Sequence, residues 1–150
     1  MKKLFLLGIM CFMALAINAQ SFVDLGLPSG TKWKTQNQSG FYTYDEAVAQ
    51  FGNRLPTKDQ LDELTIECSW EWTGNGYKVT GPNGNSIVLP AEGFRMCNGG
   101  VYEVGSCGIY WSSTPYSTET AWNLSSSSDG VGVCDYGRCN GQSVRLVQNQ

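Results

Sequence analysis

Hydrophobic and polar positions change their period several times along this 150-residue chain. Leu4 to Ile17 is one apolar run, interrupted only by Gly8 and Cys11. Further on, Tyr44, Ala47, Val48 and Phe51 recur at helical spacing and predict an amphipathic helix with one apolar face. Thr43 is a good N-cap, Glu46 completes a capping box, and Gly52-Asn53 stops the helix. Arg54-Leu55-Pro56 is extended, because Pro56 keeps Leu55 out of the helical region. Thr57 then caps a second helix, with Gln60 as its box partner. Leu61, Leu64 and Cys68 line its inner face, while Lys58, Asp59, Asp62, Glu63 and Glu67 face water.

After Cys68 the period falls from about 3.6 to 2. Trp70 and Trp72 alternate with Glu71, and Tyr77–Thr80 and Ser86–Leu89 flank an Asn83-Gly84 hairpin signal. Phe22–Leu27 and Thr31–Trp33 read as two short extended pieces before the helices. Residues 91–107 are glycine-rich and read as a long loop. Ile109–Ser113, Ala121–Ser125, Val131–Val133 and Ser143–Val147 read as the last strands. Two helices too short to fold alone must lay their stripes on sheet. The expected fold is therefore α+β: two short helices packed on antiparallel sheets, with a loop-rich second half.

The apolar start changes the picture of location. Lys2 and Lys3 precede it, it is too short to span a bilayer comfortably, and small Ala19 stands at its end. Residues 1–19 read as a cleaved signal peptide, leaving a single domain over 20–150 that is secreted or held at the cell surface. Without Lys2 and Lys3, eight Lys and Arg stand against 13 Asp and Glu, a net charge of −5. That acidity argues against nucleic acid, whose phosphates need a basic footprint, and against anionic lipid. No membrane insertion is expected after signal cleavage.

Five cysteines lie beyond the signal: Cys68, Cys97, Cys107, Cys134 and Cys139. An exported chain meets an oxidising compartment. Cys68 follows the helix stripe and is read as the unpaired thiol, leaving Cys97, Cys107, Cys134 and Cys139 for two bridges. Cys97–Cys107 with Cys134–Cys139 is the local pairing, and the two crossed pairings stay open.

Four stretches carry a family resemblance. They are Arg54-Leu55-Pro56-Thr57, the Gly76–Ala91 hairpin, Tyr110-Trp111-Ser112-Ser113 and Ser143-Val144-Arg145-Leu146-Val147. In this order they resemble the Fibrobacter succinogenes major paralogous domain, a family of secreted bacterial modules of Bacteroidetes-type surface proteins. The resemblance covers nearly the whole chain after residue 21. It implies a C-type lectin-like fold, similar to that of the formylglycine-generating enzymes and of retroelement-diversified variable proteins. Those variable proteins diversify the same C-terminal region.

Candidate chemistry is sparse. The chain has no histidine, which removes Ser–His and Cys–His nucleophile pairs and the usual zinc sites. The carboxylates Asp59, Asp62, Glu63 and Glu67 sit on a solvated helix face. Cys134 and Cys139 resemble in spacing the working cysteines of formylglycine-generating enzymes, which would imply a minimal oxidase if both were reduced. Trp122-Asn123-Leu124 lacks the third residue of a lectin calcium segment, and Asp129 and Asp135 alone do not supply six to eight oxygens. No metal or cofactor is expected.

The polar alternates of the last strands and loops form the expected contact face: Asn123, Ser125, Ser127, Asp129, Asp135, Tyr136, Arg138 and Asn140. Trp122 and Leu124 take the opposite phase and belong to the core. The leading reading is a non-catalytic module that binds an extracellular glycan or protein there, in an oligomeric state the sequence leaves open. Its alternatives are a structural subunit of a surface assembly and the minimal oxidase.

Overall fold

Both capping boxes form. Thr43 caps α1 (Tyr44–Phe51) through the Glu46 amide, and Thr57 caps α2 (Lys58–Glu67) through the Gln60 amide. Each box satisfies two backbone donors that a helix start leaves open. A 3-10 turn over Gly52–Arg54 joins the helices. Val48 points outward, so the buried stripe of α1 is Tyr44, Ala47 and Phe51. The computed structural model describes residues 21–150, and the signal-peptide reading lies outside the described residues.

Among the described residues, eleven strands surround the helices. In chain order they are β1 (Phe22–Asp24), β2 (Lys32–Lys34), β3 (Ser69–Trp72), β4 (Gly76–Thr80), β5 (Ser86–Pro90), β6 (Phe94–Arg95), β7 (Val101–Tyr102), β8 (Cys107–Pro115), β9 (Thr120–Ser127), β10 (Gly130–Gly137) and β11 (Val147–Gln148). They make three three-stranded sheets, ordered β1-β2-β11, β10-β9-β8 and β3-β4-β5, and the two-stranded β6-β7. All named pairings are antiparallel. The β4–β5 turn uses Asn83-Gly84 as the sequence suggested, with Gly84 at φ 89°.

This architecture overturns the α+β expectation. Among the described residues, strand and bridge positions make up 43% against 16% helix, spread over several small sheets. The expected loop-rich second half instead holds the longest strands, β8, β9 and β10. The physical reason is that glycine here bounds strands rather than dissolving them. The glycine-rich 91–107 segment folds into the β6–β7 hairpin, and Gly130 at φ 145° opens β10. Only Val147 and Gln148 of the closing segment form a strand, while Ser143 makes an isolated bridge to Tyr110.

The β8–β9–β10 sheet separates two apolar clusters. On one side Tyr110 and Leu124 pack with Leu61 and Leu64 of α2, together with Trp33, Val79 and Leu89. On the other side Trp111 and Ala121 pack with Tyr44, Ala47 and Phe51 of α1. Each such large apolar side chain contributes about 1.5–3 kcal/mol when fully buried. Arg145 closes the seam between sheets. It is 1% exposed and donates to Asn37 Oδ1 at 2.8 Å, the Lys34 carbonyl at 2.9 Å and the Val88 carbonyl at 2.6 Å. Its hydrogen-bond partners are neutral oxygens, not a carboxylate.

Among the described residues one disulfide, Cys97–Cys139, joins the segment between β6 and β7 to the turn after β10, with Cα atoms 5.1 Å apart. This corrects the local pairing. Cys107 and Cys134 are free thiols, as is Cys68. The reason is register: Cys107 lies opposite Ser127 on β9 and Cys134 opposite Asn123, so β9 stands between them and the two are staggered by four residues. No helix among the described residues is long and apolar enough to cross a membrane.

Candidate functional site

The first turn of α1 meets the two turns that flank the ends of β9 and β10. Thr43 and Asp45 form one wall of the resulting groove, Thr118, Glu119 and Thr120 another, and Gly137, Arg138 and Cys139 the third. Its volume is about 590 Å³. Local sequence builds each wall. Thr43 is there because it caps α1. The 117–120 turn is shaped by Ser117 Oγ, which accepts from the amides of Glu119 at 3.1 Å and Thr120 at 3.0 Å. The disulfide at Cys139 holds the third wall against the β6–β7 hairpin.

Arg138 is the fixed centre of the groove. Its amide donates to the Glu119 carbonyl at 2.9 Å and its carbonyl accepts from the Tyr44 amide at 3.1 Å. In the side chain, Nε donates to the Thr120 carbonyl at 3.3 Å and Nη2 donates to the Ser117 carbonyl. The guanidinium lies 4.7 Å over the Tyr44 ring, a cation–π contact. Tyr44 is itself tied to the Ser113 carbonyl at 2.8 Å. Burial pushes its phenol pKa up, Arg138 opposes that rise and Asp45 adds to it. Among the described residues Nη1 of Arg138 has no hydrogen-bond partner. A preorganised guanidinium therefore lines the same groove as the exposed side chains of Asp45 and Glu119 and three threonines. Such a set donates and accepts hydrogen bonds at short range.

The expected contact residues do not share one face. Arg138 alone lines this groove. Ser125, Ser127 and Asp129 line a shallower depression of about 390 Å³ with Cys134. Asp135 is exposed on β10 opposite Trp122, and Tyr136 is half-buried against Phe94 and the α1 cluster. Two expectations are corrected outright. Asn123 is 0% exposed, with Oδ1 accepting from the Cys134 thiol at 3.4 Å and Nδ2 unpartnered. Asn140 is buried, its Nδ2 donating to the Gly137 carbonyl. Asn123 sits on the central strand of its sheet, where both faces are covered, so alternation there does not separate inside from outside.

Sequence reasoning missed Thr43, Asp45, Thr118, Glu119 and Thr120 as a group. The polar Ser117–Thr120 run between two strands was the available signal, but only the fold brings it to α1. The Cys-x4-Cys segment does not form a dithiol, because Cys139 is bonded to Cys97. Burial raises the Cys134 thiol pKa, with Asp135 and Cys107 adding to the rise.

The model of one family, a domain of unknown function (DUF8237), matches residues 72–147, and the chain belongs to that family. No curated protein and no solved structure matches the chain. The matched span runs from the end of β3 to the start of β11 and includes the second and third walls of the groove.

Proposed function

We propose that this member of the DUF8237 family is an exported, non-catalytic module that binds a glycan in the groove around Arg138. The observation that carries this reading is the fixed guanidinium with no partner for Nη1, lining a groove of about 590 Å³ together with Asp45 and Glu119. A polyhydroxylated ligand presents donors and acceptors on every carbon. It is matched by carboxylates that accept from neighbouring hydroxyls and by a guanidinium that donates to hydroxyl or ring oxygens. Export is supported by the apolar start after Lys2 and Lys3, and in a weaker way by the Cys97–Cys139 bond. The resemblance to the Fibrobacter succinogenes major paralogous domain points the same way for location.

The test is a glycan array probed with the processed chain, beside Glu119→Ala in the groove and Ser125→Ala in the shallower depression. Binding lost by the first variant and kept by the second supports the groove. Binding lost only by the second, or no binding by the folded chain, overturns it.

A further inference from the structure

Every sheet edge but one is protected among the described residues. The β1 edge is covered at Asp24, whose carbonyl accepts from the Asn83 and Asn85 side chains. The Val88 carbonyl of β5 is taken by Arg145, and that strand ends at Pro90, whose carbonyl accepts from Tyr110. Beyond β8 the chain returns, the Trp111 amide donating to the Ser143 carbonyl and the Ser143 amide to the Ile109 carbonyl. The edge strands β7 and β11 have two residues each, and β3 has four and carries Glu71. β10 differs. It is eight residues long, pairs continuously with β9 on one side, and meets no strand on the other. It contains no proline or lysine, and its one charge is Asp135. A long unguarded edge is a template for another strand.

We propose that β10 pairs antiparallel with β10 of a second copy of this chain, about a two-fold axis near Cys134. The ends of the strand favour a second copy over an unrelated peptide. Asp129 immediately precedes β10 and Arg138 immediately follows it, so antiparallel self-pairing sets the acidic end of each copy beside the basic end of the other. The same register lays Tyr136 over Gly132 of the partner, an aromatic ring over a residue with no side chain. It also sets Asp135 against Val133 of the partner rather than against the partner's Asp135. A two-fold pairing of this kind closes on itself as a dimer. This inference does not depend on the glycan reading.

The test uses the processed chain with its Cys97–Cys139 bond intact and no added oxidant, its mass followed by light scattering across the micromolar range. A reversible dimer is expected. Gly132→Lys is the informative variant, because a Cβ added at Gly132 meets no atom within 4 Å and the monomer accommodates it. It places two lysines in the paired edge and weakens the dimer by about tenfold or more. Asp129→Arg, on an exposed turn, weakens it by setting like charges against Arg138 of the partner. Thermal melts of both variants check that the fold is kept. On addition of diamide, the dimer gives a Cys134–Cys134 linked peptide. A monomer at every concentration overturns the proposal. So does a dimer that both folded variants keep, or one in which diamide links the two chains through other residues.

Discussion

Arg145 donates from Nη2 to the carbonyl oxygen of Val88 at 2.6 Å, joining the chain's last segment to the β3–β4–β5 sheet. Two more bonds, to Asn37 and Lys34, use the same guanidinium to hold the segment around β2. Burial lowers its pKa to about 10, with Tyr110 and Glu92 opposing that fall, so Arg145 stays charged at neutral pH. Arg145→Met leaves three buried acceptors without their donor. It is expected to cost about 3 kcal/mol or more in urea denaturation. Arg145→Lys is expected to recover little of this, since one ammonium cannot reproduce a planar fork.

The disulfide closes a loop of 42 residues in separation. Loop-closure entropy gives it about 4 kcal/mol of stabilisation. Dithiothreitol is expected to lower the unfolding midpoint accordingly. Peptide mapping without reductant should find Cys97 linked to Cys139, with Cys68, Cys107 and Cys134 open to alkylation. A Cys134–Cys139 or Cys97–Cys107 peptide would contradict this connectivity.

Alkaline stability should depend on the thiols. Cys68 is raised from 9.0 to about 11, first by burial and then by Glu63 and Glu67. As pH rises past 9.0 the unfolded chain releases this proton while the folded chain keeps it. The contribution is therefore complete below that pH and is lost as pH climbs toward 11. Cys107 and Cys134 are also raised, chiefly by burial, and act with the same sign. Urea midpoints are expected to fall between about pH 9 and about pH 11. Cys68→Ala should flatten part of that fall.

Thr57 Oγ1 accepts from the Gln60 amide at 3.2 Å, and Gln60 Oε1 accepts from the Thr57 amide at 2.9 Å. Thr57→Ala is expected to lose about 1 kcal/mol of stability by the same denaturation assay. Thr57→Ser should retain most of it, because the serine hydroxyl caps equally well.

What the sequence made legible was local. Thr43 with Glu46, Thr57 with Gln60, and Asn83 with Gly84 each announce a structure built from neighbours, and each forms. Asn123 shows the limit. Its polarity and phase suggested the surface, but β9 is central to a sheet covered by α1 and α2 on opposite faces. Burial there is decided by elements more than 50 residues away. The cysteines show the same limit, since Cys97 reaches Cys139 only after the β6–β7 hairpin folds back beside the end of β10. The groove needs three distant turns to converge, so only Arg138 among its residues carried a signal of contact chemistry.

The glycan reading rests most heavily on Arg138, whose Nη1 is the free donor of the groove. The most direct measurement is the glycan array repeated with Arg138→Gln, its fold checked by circular dichroism and thermal melting. The expected result is glycan binding by the native chain that Arg138→Gln loses while its melting curve stays cooperative. Undiminished binding by the folded variant would contradict a site centred on Arg138.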